Sequence, residues 1–148
     1  MKRSFRVESR SAASPDVVFG LLADATTWAT WAGPFVPSSR WQPDAPSGGL
    51  GAVRLLGLGP LSSREEIVAY DAPRHLAYVL RSGESVHHYR AEVELTARPG
   101  GGTHIVWSGS VESAVPGMAL VVAGGFRRLV QGFAIRLARY AETVAPTQ

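Results

Sequence analysis

The sequence predicts an α+β fold in which a curved antiparallel sheet of seven strands wraps around one long C-terminal helix. Three observations carry that expectation. Residues 118–144 repeat apolar side chains at spacings of three and four, as an amphipathic helix does. Residues 35–112 are cut into short alternating segments by turn residues. A strand and two short helices come before them. A long amphipathic helix and one face of a sheet each need apolar cover, and packing them together satisfies both.

The elements follow in order. Residues 3–12 alternate, Phe5 and Val7 against Arg6 and Glu8, which is the period of a half-buried strand. Ser14-Pro15-Asp16 then supplies an N-cap, a proline at the first helical position and an acidic first turn. The short helix they open runs through Val18, Phe19 and Leu22. A further helical turn or two over 24–32 puts Trp28 and Trp31 on one face, and Gly33-Pro34 ends it. Turn signals at 43–46, Ser47-Gly48-Gly49, 57–60, Asp71-Ala72-Pro73, Ser82-Gly83 and Pro99-Gly100-Gly101-Gly102 then separate six strands. Short turns at that spacing join neighbours into a meander. The last helix shows Val122, Phe126, Leu129, Phe133, Leu137, Tyr140 and Val144 on one face. Arg127, Arg128, Gln131, Arg136, Arg139 and Glu142 take the other. Gly124, Gly125 and Gly132 lower its intrinsic stability by about 1 kcal/mol each relative to alanine. Gly125 therefore marks either volume left for a ligand, a point of flexing, or close packing on the short helices.

Composition excludes several classes. The 148 residues, 45% apolar and 18% charged, fit one globular domain over 1–148. A chain of that length buries about 70% of its unfolded surface and needs no disulfide or structural metal. Cysteine is absent, which removes disulfides, zinc fingers, iron–sulfur clusters and thiol chemistry. The longest apolar run, residues 118–126, falls short of the roughly 20 residues of a membrane span. The basic start, Met1-Lys2-Arg3-Ser4-Phe5-Arg6, lacks the apolar core of a signal peptide. The expectation is a cytoplasmic monomer or homodimer without integral membrane association. The formal charge of +3 is 15 cations against 12 acids, and the cations are scattered along the chain, with Lys2-Arg3 and Arg127-Arg128 as adjacent pairs. That is no phosphate-binding stripe, so no nucleic acid is expected.

Four segments carry a family resemblance. They are Ser14-Pro15-Asp16-Val17-Val18-Phe19 with Asp24, Trp28 and Trp31; Gly51-Ala52-Val53-Arg54; Glu65-Glu66-Ile67-Val68-Ala69-Tyr70-Asp71-Ala72-Pro73-Arg74-His75-Leu76; and Gly101-Gly102-Thr103-His104-Ile105-Val106-Trp107. With these the chain resembles the START-like helix-grip superfamily, the SRPBCC group that includes polyketide cyclase/dehydrase-like proteins. The resemblance spans nearly the whole chain and implies the helix-grip fold. Its members include aromatase/cyclases, lipid or sterol carriers, coenzyme Q chaperones, plant hormone receptors and chaperone activators. The shared segments are caps, turns and core positions, so they transfer no catalytic site.

Strand parity sorts the side chains that could carry function. Ala91, Val93 and Leu95 share parity with His87 and Tyr89, which therefore point inward, while His88, Arg90, Glu92 and Glu94 point out. Ile105, Trp107, Gly109 and Val111 are inward and His104 outward. Leu76, Tyr78 and Leu80 form the inward set of their strand. Ser63 and Glu65 are inward if Ile67 is, unless a bulge reverses them. The resulting interior is lined by Tyr78, His87, Tyr89, Trp107, Phe126, Leu129 and Phe133, with Trp28 or Trp31 near its mouth. Mostly apolar with a few hydrogen-bonding groups, it suits a flat hydrophobic small molecule. An inward Glu65 needs a partner, which Arg54 or His87 can supply. His87, Tyr89 and Glu65 are the candidate acid–base groups, and Glu66 is expected to pair with Arg64 or Arg90 on the surface.

Metal, phosphate-loop and serine-nucleophile chemistries lack their motifs. His87 and His88 diverge on a strand, Gly48-Gly49-Leu50-Gly51 is followed by no Lys-Ser/Thr, and no serine sits in Gly-x-Ser-x-Gly. No metal or cofactor is expected. The leading expectation is binding of a hydrophobic, aromatic or polyketide/lipid-like small molecule in an internal cavity, as a carrier or sensor. A cofactor-independent cyclase/dehydratase/aromatase is the alternative. The third is an interaction module for a protein or membrane surface through Arg127, Arg128, Arg136 and Arg139.

Overall fold

The computed structural model describes residues 2–34, 36–57, 63–81, 87–115 and 117–144, without the side chain of His87. Strand β1 (Lys2–Ser11) leads into α1 (Pro15–Ala23), a 3-10 turn (Ala25–Thr27) and α2 (Trp28–Trp31). Six strands follow: β2 (Ser38–Trp41), β3 (Val53–Gly57), β4 (Ser63–Asp71), β5 (His75–Leu80), β6 (His87–Ala97) and β7 (Thr103–Ser113). Helix α3 (Met118–Val144) closes the described chain. The strands form one antiparallel sheet in the order β1-β7-β6-β5-β4-β3-β2, so a meander is completed at its far edge by the strand made first.

Local chemistry sets the boundaries. Ser14 caps α1 by accepting from the Val17 N–H, with Pro15 at the first turn. Asp24 caps the 3-10 turn by accepting from Thr26 N–H at 2.9 Å. The expected second helix is thus a 3-10 turn and a single α-turn, because the Asp24 cap restarts the chain in a tighter pitch. Gly33, at φ 100°, ends it.

Helix α3 packs on β1 and β7. The Ser11 hydroxyl donates to the Ala138 carbonyl at 2.7 Å, and Ala12 N–H donates to Glu142 at 2.8 Å. The buried side is rotated from the expected stripe. Ala119, Ala123, Val130, Phe133, Ala134, Leu137, Ala138 and Ala141 are buried, whereas Val122, Phe126, Leu129 and Tyr140 are half-buried and Val144 is exposed. A helix held this close to the sheet needs small side chains at the contact, so the alanines turn inward.

Gly109 has a similar explanation. β7 pairs without a register shift on both sides, so there is no bulge there. A Cβ at Gly109 would come within 3 Å of the Phe5 and Tyr89 rings. The missing side chain makes room for those rings. On the outer face Glu66 pairs with Arg81 at 3.0 Å across the β4–β5 hairpin, and Arg90, one of its two expected partners, pairs with Glu92 instead.

Candidate binding site

The sheet interior holds one charged pair, and β3 and β4 place it. Along β3 Arg54 and Leu56 point inward, and the register sets Arg54 opposite Glu65. Arg54 is fully buried. Its Nε donates to Glu65 Oε1 at 3.0 Å, and its Nη1 donates to the Leu22 carbonyl at 2.8 Å. That carbonyl lies in the last turn of α1, where helix carbonyls lack partners and favour a cation. It also accepts from Trp28 Nε1 at 2.9 Å. The guanidinium carbon lies 4.3 Å from the centroid of the Trp28 ring and 4.6 Å from that of Tyr78. Cation–π contacts of this desolvated kind contribute about 2 kcal/mol. Nη2 has no hydrogen-bond partner among the described residues.

Glu65 is inward because the one register shift of β4, between Ile67 and Ala69, lies beyond it. Burial pushes its carboxyl above the ordinary carboxylate range, and the neighbouring Arg54 pulls it back only in part. Tyr78 is buried beside the pair. Burial first, then the Glu65 charge, push its hydroxyl well above the usual phenol range. Tyr89 is shifted the same way, again mainly by burial. The Tyr89 hydroxyl and the Trp107 indole N–H are both directed toward the Tyr78 oxygen and lower its shift in part, yet neither approach meets the geometry of a hydrogen bond. Among the described residues, three buried donors thus lack a well-formed hydrogen bond: Arg54 Nη2, Tyr89 O–H and Trp107 Nε1–H. By contrast, Trp31 Nε1 is bonded to Thr27, and the buried hydroxyls of Ser11 and Thr103 reach backbone carbonyls.

Aromatic rings surround this cluster. Tyr89 stacks on Phe126 at 4.1 Å and 5°, and meets Tyr78 edge-on at 6.3 Å. Trp28 meets Trp107 and Phe133 edge-on, at 5.9 and 5.3 Å. The expected lining residues Tyr78, Tyr89, Trp107 and Phe133 are all buried, and Phe126 and Leu129 are half-buried. Trp28 and Trp31, expected near a mouth, are instead buried and packed 4.5 Å apart, since both face the sheet and α3. His87 lies in β6 opposite Ser113, and its side chain is outside the described residues. Phe5, stacked on Tyr89 at 6.2 Å, was legible from β1 parity with Val7, whereas the Leu22 carbonyl leaves no mark in the side-chain pattern. The 47–49 turn lines a separate open cleft of about 440 Å³ with Phe19, Trp41 and Tyr70. Among the described residues, no three His, Asp or Glu side chains gather as a metal would require.

Sheet order, gripped helix and aromatic interior together define an α+β helix-grip protein. Residues 2–142 match the family described as "Polyketide cyclase / dehydrase and lipid transport", and the chain belongs to that family. None of the curated proteins matches the sequence. Solved structures share its fold at low identity. Ara h 8.0201 superposes with a TM-score of 0.77 at 19% identity, covering 97% of this chain and 99% of its own. A protein from Nitrosospira multiformis reaches 0.68 at 20% identity, covering 89% and 94%. The di-domain ARO/CYC BexL of the BE-7585A biosynthetic pathway gives 0.71 at 16% identity, over 99% of this chain and 51% of BexL.

Proposed function

We propose that the protein binds a hydrophobic, flat molecule of the aromatic, polyketide or lipid-like kind, bearing an acceptor oxygen, between the sheet and α3. The reading rests on the three unpaired donors. A buried donor without a partner costs about 1–3 kcal/mol, and a fold retains few of them without cause. All three can donate, and two can only donate, so the matching ligand group is a carbonyl, carboxylate or phenolate oxygen. Arg54 supplies the charge and the surrounding rings supply apolar contact.

The test screens quinones, aromatic polyketides, sterols and fatty acids by thermal shift, then compares Tyr89→Phe with the parent. A ligand raises the melting temperature by mass action. Tyr89→Phe deletes one unpaired hydroxyl and keeps the ring, so the free variant is expected to be as stable as the parent. Its affinity for an oxygen-bearing ligand falls about fivefold, while a hydrocarbon analogue is unaffected. A free variant that loses stability, together with no ligand shift in the parent, sinks the reading.

A cyclase/dehydratase-like activity is the second reading, favoured by Glu65. A carboxyl held high by burial beside an arginine and two tyrosines can exchange a proton with a bound carbonyl compound. Glu65→Gln would then retain binding and lose turnover, measured as water loss by mass spectrometry.

A further inference from the structure

The first half of α3 presents a face that the other described residues leave bare. Leu120 and Val121 are 59% and 65% exposed. At 100° per residue they share an arc of about 120° with Gly124, Arg127, Arg128 and Gln131. The most apolar 18-residue window of the helix has mean hydropathy 1.3, yet only 28% of it is buried. Gly124 lies on this face and Gly125 at its margin, and a Cβ at either would meet no described atom within 4 Å. Close packing on the short helices therefore does not explain them. They leave a shallow groove bordered by Arg127, Arg128 and Gln131. Arg136 stands apart from this set, because its guanidinium lies folded over Gly33 and Gly132.

We propose that this face docks the protein on an anionic lipid surface, with Leu120 and Val121 entering the headgroup–acyl boundary and Arg127 and Arg128 contacting lipid phosphates. The geometry fits, because Leu120 and Val121 leave the same side of the helix as Arg127 and Arg128, so a helix lying along the surface sets its aliphatic side chains into the boundary while the guanidinium groups reach the phosphates. Charge fits as well, since Arg127 and Arg128 have no ion-pair partner among the described residues and no acidic residue shares their turns. An aliphatic tip behind a guanidinium collar, with no Tyr or Trp at its centre, lacks the aromatic anchors typical of protein interfaces. The inference stands whether or not the interior takes a ligand.

The experiment floats the full chain with vesicles of phosphatidylcholine alone and of phosphatidylcholine mixed with phosphatidylglycerol, at low and high salt. Binding is expected to the mixed vesicles only, and to fall with salt. Arg127→Ser/Arg128→Ser is expected to weaken it about thirtyfold, at about fivefold per cation. Leu120→Ser/Val121→Ser is expected to release the protein as well. Arg10→Ser/Arg98→Ser, which removes the same charge from other exposed positions, is expected to change little. Equal binding to both vesicle types, no binding, or an equal loss in the Arg10/Arg98 control overturns the proposal. So does a concentration-dependent dimer abolished by Leu120→Ser/Val121→Ser, or capture by an acidic polypeptide without vesicle binding; these would assign the face to a protein.

Discussion

Arg54 is a full charge with no exposed surface, kept in place by one carboxylate, one backbone carbonyl and two ring faces. Such a pair does little for net stability when intact, since desolvating both ions offsets most of their attraction. Arg54→Met is expected to lose about 3–5 kcal/mol in denaturant unfolding, because Glu65 is left unpaired. The double variant Arg54→Met/Glu65→Leu is expected to recover most or all of that loss. A double variant as unstable as the single would mean that the stacking on Trp28 and Tyr78 dominates. pH acts in a defined direction. The Glu65 carboxyl binds its proton more tightly folded than unfolded, so stability is fully present below the unfolded value of 4.5 and declines as pH rises through the higher folded value. Glu8 and Glu92, held low chiefly by hydrogen bonds with His104 and His75, act oppositely: what they add is lost as pH falls below 4.5. In Glu65→Gln, unfolding measured across pH is expected to lose the decline above 4.5 and keep the acid limb. Strand parity made Glu65 inward on condition that no bulge reversed β4, and left Arg54 or His87 as its partner; the β4 irregularity comes later, and the partner at hydrogen-bond distance is Arg54. The carbonyl that shares Arg54 was not legible, since backbone acceptors carry no residue-type signal.

Among the elements, α3 separates what side-chain pattern reveals from what packing decides. Its length and period were plain in residues 118–144, but weighting the large apolar residues turned the predicted stripe away from the alanines. Close approach to β1 rewards the smallest side chains, and hydropathy gives them little weight. The glycines divide by their surroundings. Gly109→Ala is expected to cost about 1–3 kcal/mol, because the new methyl overlaps Phe5 and Tyr89. Gly124→Ala and Gly125→Ala are expected to stabilise the helix, by up to about 1 kcal/mol each, with nothing for the methyl to strike. Chemical unfolding of the three variants checks both signs. A destabilised Gly124→Ala would show that this segment has contacts beyond those described.

Across the whole molecule the order of strands along the chain was largely legible, because turn residues punctuate it. The placing of β1 beside β7 was not, since no local pattern records a pairing between ends of a chain. That placing governs time as well as shape. Glu8 and His104 meet across 96 residues of chain, and Ser11 reaches Ala138 across 127. While a ribosome is still extending the chain, β1 has no neighbour to bond to until β7 has emerged, and no helix to cover it until α3 follows. Closing so long a loop loses entropy before it gains contacts, which makes the grip the slow step of folding. In pulse-labelled refolding, the amides of β3 to β6 are expected to become protected before those of β1. Synthesis halted before β7 is expected to leave Phe5 and Val7 exposed to chaperones. Of the seven strands of this sheet, β1 comes first along the chain and is expected to be the last to find its place.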